Sequence, residues 1–329
     1  RRVPVAMAAS PAPTNVKIKG SPSLLCNNLS VDAKFSCHVH VADVVIASTR
    51  PDLTAPKECQ RLGSNEPLMQ VKLCNIGGVS FVVMAGLRSV QVWDPDQRNR
   101  LFLYTLPAPT TASEEHENFA CGITHVSEGG ETFLLVGRAT GEILVFGVDK
   151  FKFLLDRSLT TPKHTVPITE LSSQHQTSGS GAHFASADLN GGITVWRSAG
   201  WTPLCTFDGA GAPCTSLRIR GNLICASFLT GHLRMFNVEA RKKVAEICAH
   251  SRTINAIELH PMRDLVASVG EDGAVIVWNL ERLADKEITT ALVASAPDCL
   301  LTGVAFSNDG SQVVATSYDH DELKVWQCS

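Results

Sequence analysis

AHSRTINAIELHPMRDLVASVGEDGAVIVWNL, residues 249–280, is the stretch whose reading decides the fold. An apolar run, LVASV, reaches a turn at Glu271-Asp272-Gly273. It is followed by AVIVW, in which alternate residues fall on alternate faces, as they do along a strand. Asp and Gly favour the turn because one bonds its own backbone and the other accepts positive φ. The phrase closes on an aromatic residue, Trp278.

The phrase recurs. FVVMAGLRSVQVW ends at Trp93 and FLLVGRATGEILVF at Phe146. HFASADLNGGITVW ends at Trp196, LICASFLTGHLRMF at Phe236, and QVVATSYDHDELKVW at Trp326. The spacings between these aromatics are 53, 50, 40, 42 and 48 residues. A four-stranded blade takes about 40–45 residues, and loop insertions account for the excess. Helical periodicity is almost absent. Short strands at a repeating period mean an all-β ring of small sheets rather than a sandwich.

Residues 249–280 resemble a standard repeat of the WD-repeat β-propeller family along their whole length. His250, Ser268, Asp272 and Trp278 stand where that family places a structural tetrad, a hydrogen-bonded group tying a loop to the middle strands of a blade. The family's Asp after the Trp is Asn279 here, although Asp94 does follow Trp93. His164, Ser186, Asn190 and Trp196 repeat the set two copies away, so a hydrolase triad is the poorer reading of His250, Ser268 and Asp272. Elsewhere the set has decayed: Phe146 and Phe236 replace Trp, and Thr316 with Trp326 has no upstream His.

The fold expected is therefore a seven-bladed WD-repeat β-propeller, with six clear blades and a degenerate N-terminal one. The blades expected are residues 22–62, 67–106, 119–156, 164–208, 212–248, 251–292 and 299–329. The last copy runs out three residues after Trp326, without an outer strand of its own. The alternating run Thr14-Asn15-Val16-Lys17-Ile18-Lys19 is expected to supply it, pair near Leu323–Trp326 and close the ring, since an open propeller would leave a bare sheet edge. Residues 14–329 then form one domain behind a Pro-rich flexible tail, 1–13. Residues 105–118, with the acidic Glu114–Glu117, and residues 174–181 read as mobile loops.

Composition limits the function. Among 329 residues 44% are hydrophobic and 19% charged, with a net charge of −3. That is ample for a core, and it supplies no overall basic field for nucleic acid. No run of about twenty apolar residues suits a membrane span, so the chain reads as soluble and cytoplasmic. Eleven scattered cysteines without a C-x-x-C pair read as reduced, buried thiols.

Chemical motifs are missing: no P-loop, GxGxxG, HExxH or GxSxG appears. His38 and His40 share a strand face but have no third ligand nearby, and zinc needs three or four. Arg218 with Arg220, and Arg241-Lys242-Lys243, are small basic clusters inside ordinary strand pattern. The innermost strands carry Glu170 and Glu258 as isolated acids. The expectation is no catalytic, metal or cofactor site, no cofactor, and partners that are other proteins rather than nucleic acid or membrane.

One column of the repeat varies. Eight residues before each aromatic stand Ala85, Arg138, Asp188, Phe228, Gly270 and Tyr318. The resemblance implies that this rim faces a mouth of the ring and binds partners. Arg138, Asp188, Phe228 and Tyr318 are therefore the candidate partner-binding residues, since Arg and aromatics dominate interface energetics. The fragments LLCNNLSV (24–31), VPITEL (166–171), GGITVWRSAG (191–200), GAPC (211–214) and AHSRTINAIEL (249–259) resemble one intracellular branch of the family. That resemblance implies a non-catalytic scaffold in a signalling or ciliary complex. A ubiquitin-ligase substrate receptor is the alternative, although Trp93-Asp94-Pro95-Asp96 lacks the Arg of the family's W-D-x-R signature. A propeller enzyme is a weaker alternative.

Overall fold

In the computed structural model, residues 11–48, 59–96, 98–108, 118–161, 164–174, 183–209 and 211–328 are described. Residues 1–10 of the expected tail, the Glu114–Glu117 cluster and the expected loop beyond Gln174 lie outside them.

The described residues form seven four-stranded antiparallel sheets. Blade 1 comprises Ser30–Val31, Phe35–His40, Asp43–Ser48 and Cys59–Gly63, and blade 2 Leu68–Ile76, Val79–Gly86, Ser89–Asp94 and Asn99–Thr105. Blade 3 comprises Ala120–Glu128, Glu131–Arg138, Ile143–Asp149 and Lys152–Leu159, and blade 4 Ile168–Ser173, His183–Asp188, Ile193–Arg197 and Thr202–Phe207. Blade 5 holds Cys214–Arg220, Leu223–Phe228, His232–Asn237 and Lys242–Cys248. Blade 6 holds Ile254–Leu259, Leu265–Gly270, Ala274–Asn279 and Thr289–Ser295. Blade 7 has Leu301–Phe306, Gln312–Ser317 and Glu322–Gln327, and takes Thr14–Lys17 as its fourth strand. The expected seven-bladed all-β ring is the fold observed, and its first blade is the irregular one, with an inner strand of two residues.

Second strands such as Leu265–Gly270 are buried on both faces, which is why they read as apolar runs. Fourth strands such as Lys242–Cys248 form the half-exposed outer edge. The aromatic that ends each phrase has a structural role. At Trp93, Phe146, Trp196, Phe236 and Trp278 the pairing of third and fourth strands shifts register. A bulge there re-aims the large side chain and tightens the twist of the outer edge. The core is divided into seven clusters, each lying between two neighbouring blades.

Ring closure uses the N-terminal strand. Thr14, Asn15, Val16 and Lys17 pair with Val325, Lys324, Leu323 and Glu322, and the Ile18 amide donates to the Asp321 carbonyl at 2.8 Å. Val16 and Ile18 are buried against Leu29, Ala305, Val314, Leu323 and Val325. Two such aliphatic side chains contribute roughly 1.5–3 kcal/mol each.

The chain must then cross from the outer edge of blade 7 to the inner strand of blade 1. His38 and His40 hold this crossing, their ring nitrogens donating to the carbonyls of Gly20 (2.8 Å) and Ser21 (2.6 Å). Gly20 has φ +95°, and a Cβ there would stand 3.1 Å from the His40 ring. Burial pushes the His38 ring down to about 4. Asn28 finishes the crossing by imitating a paired strand: its Oδ1 accepts from the Val39 amide at 2.6 Å and its Nδ2 donates to the Val39 carbonyl at 3.1 Å.

Candidate functional site: tetrads, rim and central cavity

In blade 6 the Trp278 indole N–H donates to Ser268 Oγ at 3.0 Å, and Ser268 Oγ lies 2.8 Å from His250 Nε2. His250 Nδ1 donates to Asp272 Oδ1 at 2.8 Å, since a carboxylate can only accept. Burial raises the Asp272 carboxyl, but the hydrogen bond and charge of His250, with the Ser251 and Ala274 amides, outweigh it and hold the group at about 2.

Blade 4 has the same chain: Trp196 to Ser186 Oγ at 2.8 Å, then His164 Nε2 at 2.7 Å. The acid differs from the one expected. Asp188 Oδ2 lies 2.7 Å from His164 Nδ1, whereas Asn190 is exposed on the turn and its amide merely donates to Asp188 Oδ1 at 3.0 Å. Equal spacing from the serine misled because two backbone positions reach the same ring nitrogen. In blade 6 the position equivalent to Asp188 is Gly270, where a Cβ would stand 3.1 Å from His250 Nδ1 and 3.3 Å from Asp272 Oδ1. The glycine leaves room for an acid from the turn; Asp188 fills that room itself.

The rim is also corrected. Arg138, Asp188 and Phe228 each end a second strand and are buried. Arg138 binds Glu142 Oε2 at 2.5 Å and Asn118 Oδ1 at 3.1 Å. Asp188 belongs to the tetrad, and Phe228, 0% exposed, lies under the Arg234 guanidinium at 4.3 Å. Only Tyr318 of the four faces solvent, because the last copy carries one extra residue before its aromatic and Ser317 takes the buried position opposite Leu301.

The column that reaches solvent in blades 4, 5 and 7 lies one residue past the end of each second strand. The backbone N–H of Leu87, Ala139, Leu189, Leu229, Glu271 and Tyr318 donates in each case to the residue preceding the inner strand of the same blade. The acceptors are the carbonyls of Pro67, Phe119, Pro167, Pro213, Thr253 and Leu300. Within this column Leu189 (46%), Leu229 (51%) and Tyr318 (43%) put large apolar side chains into water. Val41, whose amide donates to Ser23 Oγ at 2.8 Å, is exposed at the turn of blade 1. A single-sequence reading aligned on the aromatic could not see this column, because turn lengths differ between copies.

On the opposite face a central cavity of about 760 Å³ opens among the later halves of the inner strands. Its lining includes Gln70, Lys72, Glu170, Arg218, Glu258 and Phe306. Glu170, read in the sequence as an isolated acid, is the hub. Its Oε2 accepts from Asn27 Nδ2 at 2.6 Å and Gln70 Nε2 at 2.8 Å, and its Oε1 from the Leu171 amide at 3.1 Å. Lys72 Nζ lies 4.0 Å from Glu170 Oε1 and donates to the Ile123 carbonyl at 2.8 Å. Burial dominates both groups, pushing the Glu170 carboxyl up and the Lys72 ammonium down against their mutual attraction. Asn27, at φ 55°, also donates to the Thr215 carbonyl at 2.8 Å and accepts from Ser216 Oγ at 2.6 Å. Residues 26–28 therefore tie blade 1 to blades 4, 5, 6 and 7 across the axis. Arg218 pairs with Glu258 at 3.0 Å.

The WDR54 family profile matches residues 13–328. WD repeat-containing protein 54 of Mus musculus is 27% identical over 328 residues, covering 94% of this chain and 96% of its own length. That of Homo sapiens is 26% identical, with coverage of 94% and 97%. A chain of the crystal structure of the mitotic checkpoint complex superposes with a TM-score of 0.75 at 14% identity, covering 99% of this chain and 95% of that one. At that identity the likeness concerns the fold.

Proposed function

Because the chain belongs to the WDR54 family, whose propeller is suited to holding protein partners, we propose that it is a non-catalytic scaffold docking a partner protein on the face that carries Leu189, Leu229 and Tyr318. The observation that carries this reading is the repeated placement of those three side chains. Each follows a backbone hydrogen bond that recurs in six blades, so each is held on a rigid frame. Each nevertheless presents a large apolar group to solvent, at a position where blade 3 has a small residue and blade 6 an acid. Apolar and aromatic anchors fixed on a rigid frame lose little entropy when a partner covers them. They also stand on loops that can vary without disturbing the blades.

The test is a Leu189→Ser, Leu229→Ser, Tyr318→Ser triple variant compared with the parent chain by cross-linking in cells. The proposal expects an unchanged melt and loss of the parent's cross-linked partners; an unchanged partner set would place the docking surface elsewhere. We extend the same reading to a cytoplasmic signalling or ciliary assembly, on the family resemblance alone. Imaging of the tagged chain confined to another compartment would remove that extension.

A further inference from the structure

We propose that Cys248 is a thiol–disulfide exchange site, activated by His232, that accepts a small-molecule disulfide on the outer edge of blade 5. His232 and Cys248 are direct cross-strand partners in the pairing of the third and fourth strands. Their closeness is therefore built by the backbone register rather than by chance rotamers. Cys248 Sγ lies 3.4 Å from His232 Nε2. The other ring nitrogen, Nδ1, is 3.1 Å from the Thr230 carbonyl oxygen and 3.0 Å from its hydroxyl. A carbonyl only accepts, so Nδ1 carries the hydrogen and Nε2 of the neutral ring offers its lone pair to the thiol. A nucleophile, a base and a group that orients the base is the arrangement that activates a weak nucleophile.

The rest of the hairpin supports the pair. Glu246 shares the face of Cys248 two residues earlier, and it is occupied by Lys243 and by Arg234 at 3.6 Å. With His232, whose Nε2 lies 3.9 Å from Glu246 Oε1, those two cations hold its carboxyl below the usual range, the Lys243 hydrogen bond being the largest cause. Arg234 is itself fixed, donating to the Gly209 carbonyl at 2.7 Å. The negative charge nearest the thiol is thus already balanced.

The contrast with the other cysteines is sharp. All eleven are free, and Cys248 is the exposed one. Seven are buried and three partly so. Burial pushes the Cys26 and Cys121 thiols up to about 12, which leaves them without thiolate.

In the exchange, His232 Nε2 takes the proton from Cys248 Sγ. The thiolate attacks one sulfur of the disulfide, so that a Cys248–sulfur bond forms as the disulfide bond breaks. The departing thiolate recovers the proton from the imidazolium. The protein thiol is oxidised and half of the disulfide is reduced, with no further electron donor or acceptor. The adduct would stand beside the Thr230–Gly231 turn, where the Ala249 amide meets the Gly231 carbonyl at 3.0 Å.

The test treats the whole chain with glutathione disulfide at pH 7 and follows glutathionylation by peptide mass spectrometry. Cys248 should be modified first, and His232→Gln should slow its modification about tenfold with the melt unchanged. Cys248→Ser should remove the early adduct. Modification that begins at another cysteine, or a His232→Gln rate within threefold of the parent, overturns the proposal.

Discussion

Asn27 and Glu170 stand 143 residues apart in the chain and share a 2.6 Å hydrogen bond across the axis of the ring. Neither group is reachable from the other through the strands of one blade. The bond exists because the N-terminal crossing drops Asn27 into the channel, and it makes one carboxylate the meeting point of blades 1, 2 and 4.

Removing that carboxylate should cost more than removing a surface acid. Glu170→Ala leaves the Gln70 amide without its acceptor, takes one of two acceptors from Asn27 Nδ2 and leaves the Lys72 ammonium without its counter-charge in a buried place. About 3–5 kcal/mol of stability should be lost, read as a shift of the urea midpoint. A change below about 1 kcal/mol would mean that water replaces the carboxylate without penalty.

The tetrads predict a graded loss. Trp196 is buried, stacked on Phe184 at 5.7 Å between ring centres, and donates to Ser186. Trp196→Ala should cost about 3–5 kcal/mol, and Trp278→Ala less, because Trp278 is only half-buried. Trp196→Phe keeps most of the packing and loses one hydrogen bond, a loss of roughly 1 kcal/mol. Thermal melts in which the Phe and Ala variants coincide would assign the energy to the polar chain instead.

Stability should fall in acid through Asp272. Its folded value of about 2 lies below the ordinary 3.8. The folded state therefore holds fewer protons, and the contribution is complete above pH 3.8 and fades as pH drops toward 2. A shift of that size corresponds to about 2 kcal/mol. The gap between parent and Asp272→Asn in urea melts should be widest near neutrality and close in that window; a gap independent of pH would refute the assignment. Glu170 runs in the opposite sense, because its carboxyl is raised and its ionisation opposes folding as pH rises.

Ring closure predicts that deleting residues 1–20 lowers the melt of the whole domain. The deletion bares the edge of blade 7 and uncovers Leu29, Val314 and Leu323. It also removes the carbonyl that His38 holds. Hydrogen exchange should rise first in blades 7 and 1. Protection unchanged in both would show that the strand merely decorates a ring already closed.

The corrected rim makes a paired prediction. Leu189→Ser, Leu229→Ser and Tyr318→Ser should each move stability by no more than about 0.5 kcal/mol, being exposed. Phe228→Ser, one residue before Leu229, should lose several times as much, since it is fully buried. Similar melts for the Leu229 and Phe228 variants would contradict the register assigned to this face.

What the amino-acid order determined by itself was the ring. Strand alternation, a turn and a closing aromatic are all written within about fifteen consecutive residues, and the copies repeat, so blades could be counted from Trp93 to Trp326 without seeing them. The free edge of blade 7 and the alternation of Thr14–Lys19 were local signals too. The tertiary structure alone decided which residues meet. Asp188 displaces Asn190 because Gly270 and Asp188 occupy the same place in two blades and only one has a Cβ. The exposed rim lies at Leu189, Leu229 and Tyr318 because pairing register, not distance from an aromatic, selects which side chains face water. Glu170 becomes a hub only after ring closure brings distant residues within hydrogen-bonding range, and Cys248 meets His232 only through the cross-strand register of their hairpin.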